Sequence, residues 1–214
     1  MERETIGHMK DGNQRGSSDP MLVYGRARID VVERHPGQRQ AVIGVFVSRE
    51  KIVGLDGVAG ARKTTALAVM REGAEYAGYR VEGFVPTFRA AQKLGEAGIE
   101  TKTLQAHLAQ GQKVDTGEKR LCVVDESSLA STRQMHEFVS RLHPNGRVLL
   151  VGDTRQHESV EAGRIFAQVQ ESGMKTVRLE EIVRQKDPEL KQTVEQLARG
   201  DVGLAVAGLA ESMR

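Results

Sequence analysis

Gly57-Val58-Ala59-Gly60-Ala61-Arg62-Lys63-Thr64-Thr65 decides the fold. It follows a short apolar segment, Ile52-Val53-Gly54-Leu55, and opens Thr64 to Tyr76, whose apolar residues recur at helical spacing. A glycine-rich turn between strand and helix, ending in Lys-Thr, has the layout of a phosphate loop, G-x-x-x-x-G-K-[ST]. In such a loop, backbone N–H groups at a helix start surround a phosphate. The Lys63 ammonium reaches the outer phosphates, and the Thr64 hydroxyl holds Mg2+. Gly57, Lys63 and Thr64 match the pattern, but Arg62 stands where the second glycine belongs. Glycine serves there because the backbone must approach the phosphate closely, often with positive φ. A left-handed Arg62 would cost about 1–2 kcal/mol and put a Cβ in the way, although a guanidinium also attracts phosphate. The alternative is a glycine-rich turn carrying a solvated basic pair.

Outward from the loop, strand-length apolar runs alternate with helical segments. Gln38 to Val47 reads as a helix and Arg80 to Val85 as a strand. Phe88 to Ala97 is an amphipathic helix, Leu121 to Val124 a strand and Thr132 to Leu142 a helix. Val148 to Val151 is a strand, Ala162 to Gln170 a helix, Thr176 to Leu179 a strand and Pro188 to Arg199 a helix. Strands apolar on both faces and separated by helices predict a three-layer α/β sandwich around a mostly parallel sheet. Working residues in such sheets sit at the carboxyl ends of the strands.

Two such ends carry suitable groups. Leu121-Cys122-Val123-Val124 runs into Asp125-Glu126-Ser127-Ser128. Asp125 suits Mg2+, held through water, and Glu126 suits polarising an attacking water. The plainer reading is a helix start, with Ser127 or Ser128 as its cap. Val148-Leu149-Leu150-Val151 runs into Gly152-Asp153-Thr154-Arg155-Gln156, where Gln156 suits a terminal phosphate or an attacking water. A capped turn is the alternative there.

Composition narrows the class. Lys and Arg number 31 against 29 Asp and Glu, a net charge of +2, which leaves room only for a local basic groove. Aromatic residues are 4%, too few for an extended stacking platform for single-stranded nucleic acid. Cys122 is the one cysteine, so an internal disulfide is excluded. Its place in an apolar strand predicts an inert core thiol. His8, His35, His107, His136, His143 and His157 lack metal-ligand spacing and are expected at the surface or in caps. No apolar run is long enough to span a bilayer and no signal-peptide core precedes the domain. A cytoplasmic protein without membrane contact is the expectation.

The ordered pieces resemble a known family. Pro36-Gly37-Gln38-Arg39-Gln40-Ala41-Val42 is similar to the helicase Q-motif, and residues 57–65 to motif I. Pro86-Thr87-Phe88-Arg89-Ala90-Ala91 is similar to motif Ia, and Thr101-Lys102-Thr103-Leu104 to motif Ib. Asp125 to Ser128 resembles motif II and Gly152 to Gln156 motif III. Leu179-Glu180-Glu181-Ile182-Val183-Arg184-Gln185 resembles the arginine-bearing motif IV of RecD-like helicases. The nearest resemblance is to the helicase region of MobF-class conjugative relaxases, the TraI/TrwC type. Ser131-Thr132-Arg133-Gln134-Met135 and Arg184-Gln185-Lys186-Asp187-Pro188-Glu189-Leu190 share their wording with that group, as does Glu2-Arg3-Glu4-Thr5-Ile6.

The resemblance implies a RecA-like P-loop NTPase domain of a superfamily 1 DNA helicase, with ATP and Mg2+ as cofactors and single-stranded DNA as partner. Gln38 would read adenine, Val58, Ala59, Gly60, Ala61 and Thr65 would line the nucleotide with the loop residues above, and Arg184 would act as an arginine finger. Thr87 and Thr103 would touch the DNA backbone, with Arg89 and Lys93 adding charge. A solvated helix face is the alternative for that basic pair. Residues 1–35 read as a polar lead-in, with Asp11 to Pro20 as a turn-rich loop that leaves room for short helices on either side. Residues 36–186 read as motor domain 1A and 187–214 as a helical segment toward a second motor domain. Motifs V and VI and a relaxase domain are not found in these 214 residues. A fragment, a natural remnant or one piece of a split protein is therefore expected, with a second helicase domain or conjugation proteins as further partners. The competing function is a catalytically dead remnant that binds DNA or protein.

Overall fold

Six strands carry the architecture of the computed structural model, which describes residues 2–14, 36–58, 61–110, 117–143, 145–154 and 165–179. They are β1 (Ile52–Gly57), β2 (Arg80–Val85), β3 (Glu100–Thr103), β4 (Arg120–Val124), β5 (Gly146–Gly152) and β6 (Thr176–Leu179), in the order β3-β2-β4-β5-β1-β6. Every neighbouring pair is parallel. The expected sheet is thus present, and its interior strands are the ones that read as continuous apolar runs. Leu149 of β5 pairs with Val53 of β1 on one side and Val123 of β4 on the other.

Side-chain alternation divides the core into two layers. On one face Val53, Leu55, Val81, Val85, Leu121, Val123, Leu149 and Val151 pack beneath three helices. These are α2 (Pro36–Phe46), α3 (Lys63–Tyr76) and α4 (Phe88–Gly95). On the other face Ile52, Phe84, Cys122, Val124, Val148 and Leu150 meet α5 (Leu104–Ala109), α6 (Thr132–Ser140) and α7 (Ile165–Glu171). Burying a large apolar side chain stabilises by about 1.5–3 kcal/mol, so Phe138, Phe166, Leu149 and Leu150 anchor these layers. Cys122 is buried within β4, as its strand predicted, and forms no disulfide.

Four differences from the sequence reading have physical causes. The strand β3 is polar, Glu-Thr-Lys-Thr, because it is an edge strand that pairs only with β2, so it lacks an apolar run. The helix that the polar lead-in left room for, α1 (Glu2–Gln14), runs further than expected and takes in Asp11 to Gln14 of the expected loop. It packs on α6, where Thr5 is fully buried with its Oγ1 3.2 Å from His136 Nδ1. His107 is neither a cap nor a surface group: its ring packs 4.5 Å from that of Phe84 and 5.7 Å from that of Phe138. The cap of α6 is Ser131 rather than Ser127 or Ser128. Its hydroxyl accepts from Gln134 N, and the Gln134 side chain accepts from Ser131 N, each at 3.2 Å. Such a reciprocal capping box is worth about 1 kcal/mol. The expected helix over Pro188 to Arg199 and the rest of the 187–214 helical segment lie outside the described residues.

Candidate functional site

Parallel strands deliver their carboxyl ends to one edge, and there the sequence-predicted residues gather. Strand β1 leads into the phosphate loop, β2 into Thr87, β3 ends at Thr103, β4 leads into Asp125-Glu126, and β5 into Asp153-Thr154. Neighbouring strands lie about 4.8 Å apart. Since β5 separates β4 from β1, Lys63 and Asp125 face each other across roughly two strand spacings, on the order of 10 Å.

The loop closes through a hydrogen bond from Ala61 N–H to the Val58 carbonyl, 3.1 Å, and Ala61 is buried. Arg62 then takes φ 48° and ψ 43°, the left-handed conformation. That is the conformation for which the missing glycine is suited, so Arg62 bears a strain of about 1–2 kcal/mol. Lys63 begins α3 and its Nζ donates to the Gly57 carbonyl at 2.5 Å. Thr64 and Thr65 follow in the first turn, both half-buried. No side chain caps this end of α3, so its first-turn N–H groups keep the partial positive charge that receives anions. Ala59 and Gly60 lie outside the described residues.

Asp125 continues the ladder, its N–H donating to the Phe84 carbonyl at 2.9 Å. Glu126 is left-handed, φ 52° and ψ 34°, and its N–H donates to Asp125 Oδ1 at 2.8 Å. Burial pushes the Asp125 carboxyl above its ordinary range, against the pull of that hydrogen bond and of Lys63 and Lys93. Glu126 is raised as well, first by burial and then by Asp125, again opposed by Lys93 and Lys63. Two shielded carboxyls with two ammonium groups in electrostatic reach suit a dication or a bound polyphosphate complex.

Asp56, which the sequence reading passed over, and Ser127, which it read as a cap or part of motif II, tie the edge together. Asp56, next to last in β1, accepts from Thr154 N–H at 3.2 Å and from the Thr154 hydroxyl at 2.9 Å. Ser127 is fully buried and its hydroxyl donates to the Val151 carbonyl at 2.8 Å. The first holds the turn after β5 to β1, the second the turn after β4 to β5. A charged residue near the end of an otherwise apolar strand was the available signal for Asp56.

Thr87 and Thr103 are helix N-caps. Thr87 Oγ1 accepts from Ala90 N at 3.3 Å and Thr103 Oγ1 from Ala106 N at 3.1 Å. A hydroxyl has one donor as well as its acceptor sites, so capping leaves each O–H able to donate to a phosphate. Arg89 and Lys93 are exposed on α4.

Gln38, on α2, is fully buried and neither its Oε1 nor its Nε2 has a hydrogen-bond partner. An unpaired buried carboxamide costs about 1–3 kcal/mol, and its adjacent donor and acceptor match the edge of adenine. That orphaned amide, the uncapped α3 and the Asp125 environment fit a magnesium nucleotide. Arg62 is the residue that fits it poorly. Gln156 and Arg184 lie outside the described residues, as do His35 and His157. Among the described residues there is no cluster of three or more metal-ligating side chains, and no helix is long and apolar enough to cross a membrane.

The edge and its loop define a P-loop NTPase, and comparison narrows the class. A family model described as "AAA domain" matches residues 33–214, and the chain belongs to that family. Its particular likeness is to a RecD-like helicase motor domain of the conjugative-relaxase type, as the ordered motifs implied. It is 36% identical over 174 residues to the probable conjugal transfer protein TraA of Sinorhizobium fredii, covering 79% of this chain and 16% of that protein. It is 31% identical over 221 residues to the multifunctional conjugation protein TraI of Escherichia coli, covering 97% and 12%. It is 29% identical over 170 residues to the ATP-dependent RecD2 DNA helicase of Deinococcus radiodurans, covering 76% and 23%. The chain thus spans less than a quarter of the length of these relatives.

Proposed function

We propose that this chain is the first motor domain of a superfamily 1 DNA helicase of the conjugative-transfer type, built to take ATP-Mg2+ and to hold one DNA strand. The observation that carries the reading is the joint presence of Lys63, Asp125 and Glu126 at one sheet edge, with both carboxyls shifted by burial and drawn back by the Lys63 charge. Bound nucleotide supplies the free energy of phosphoanhydride cleavage. Lys63 and the first-turn amides of α3 would hold its phosphates, Thr64 and Asp125 its metal, and Gln38 its base. Glu126 would orient water, with Gln156 and Arg184 in the roles their motifs imply. Thr87, Thr103 and Arg89 would contact DNA phosphates, independently of sequence.

One observation favours a second reading. The left-handed Arg62 strains the loop and sets a Cβ at the position where glycine would let the backbone approach a phosphate. A module that grips DNA or a partner protein but turns over little ATP is consistent with that. Calorimetric titration of nucleotide with and without Mg2+ separates the two: motor function requires Mg2+-dependent binding, and the binding-only module shows none.

A further inference from the structure

Phe88 is 74% exposed. Two other large apolar residues among those described are exposed, Tyr76 to a similar degree at 72% and Val47 less so at 41%. Tyr76 ends α3, just before β2 begins, so it belongs to the amino edge of the sheet, and Val47 directly follows α2. Phe88 is the exposed aromatic at the carboxyl edge, in the first turn of α4 and directly after its cap Thr87. An exposed ring there does not serve the fold: the core side of α4 is Ala90 and Leu94, both buried.

Its surroundings identify the occupant. The neighbouring side chains Thr87 and Arg89 are exposed, Lys93 is exposed one turn further on, and the first turn of α4 holds no acidic residue. A protein-docking patch would extend the apolar surface beyond one ring. Here, among the described residues, one exposed ring stands beside hydroxyl and cationic groups, which is the chemistry that receives one nucleobase on a phosphodiester chain. We infer that Phe88 stacks on an unpaired base of the bound DNA strand, while Thr87 and Arg89 hold the phosphates beside it. This inference rests on the single-strand reading of the carboxyl edge. A single stacking position also suits a chain with only 4% aromatic residues.

The test is fluorescence anisotropy of the chain with a dye-labelled thymidine oligomer and with an abasic phosphodiester of the same length and charge. Parent, Phe88→Ala and Phe88→Tyr proteins are compared. The expected result is tighter binding of the thymidine strand by the parent. Phe88→Ala should reduce that affinity on the order of tenfold and leave the abasic affinity unchanged, and Phe88→Tyr should retain the parent value. If both strands bind, and bind Phe88→Ala as tightly as the parent, the ring faces something other than a base and the inference is overturned. If neither strand binds the parent protein, the single-strand reading itself fails and takes the inference with it.

Discussion

Lys63 turns back across the phosphate loop and donates a 2.5 Å hydrogen bond to the carbonyl of Gly57, the residue that opens the loop. The contact depends on the absence of a side chain at residue 57. A Cβ there would lie 3.0 Å from Lys63 Cγ, 3.1 Å from Lys63 Cδ and 3.3 Å from Leu179 Cβ. Gly57 has no positive φ, so crowding rather than backbone strain disfavours a side chain there. Gly57→Ala is expected to destabilise the fold by about 1–3 kcal/mol and to displace the ammonium. Urea denaturation checks it; an unchanged midpoint would show that Lys63 yields without cost.

The shifted carboxyls give a pH dependence with a definite sign. Burial raises Asp125, and burial together with Asp125 raises Glu126. The folded protein therefore binds these protons more tightly than the unfolded chain does. Between the ordinary carboxylate values and the raised ones, stability falls as pH rises and returns as pH falls. Asp125→Asn is expected to flatten that decline and to stabilise the nucleotide-free protein at neutral pH. Thermal melts from about pH 3, below the ordinary carboxylate values, to about pH 8 measure it. A variant less stable than the parent at pH 7 would contradict the direction.

The same residue controls metal. If Thr64 and Asp125 hold Mg2+, nucleotide binds more tightly in its presence, and Asp125→Ala removes at least about tenfold of that gain, or ~1.4 kcal/mol. Equal affinity of the parent protein with and without Mg2+ would remove the metal site from the account.

DNA binding through phosphates is expected to favour single strands, ignore sequence and weaken steeply with salt. Thr87→Ala with Arg89→Ala should weaken it alike for all sequences. Removing one cation should reduce the log–log salt slope by about 0.7. Because Thr87 caps α4, its alanine variant also costs about 1 kcal/mol of stability, whereas Thr87→Ser keeps both the cap and the donor. A preference for one duplex sequence would contradict the assignment.

The interior of the sheet was legible because β1, β4 and β5 are apolar on both faces, which only a covered parallel sheet explains. Loop and acidic residues were legible because a strand's end marks their place. Less was visible where tertiary packing overrides composition. The polar strand β3 gains its partner only from β2, and the polar helix α1 finds its burial against α6. Thr87 and Thr103 carried a family meaning that concealed their capping, although a threonine before a helical run is a capping signal. Arg62 went the other way: the motif left open whether its residue is left-handed, and the backbone shows that it is.

Arg62 also tests the account most directly. Its strain and its Cβ oppose phosphate approach, while Lys63 already supplies the positive charge. Calorimetric titration of Mg2+-ATP into the parent protein and Arg62→Gly is the measurement. The account predicts weak, Mg2+-dependent binding by the parent and an affinity at least about tenfold higher, or ~1.4 kcal/mol, for Arg62→Gly. Equal and tight binding by both proteins would show that the loop accepts Arg62, contradicting the claim that this residue limits the nucleotide site.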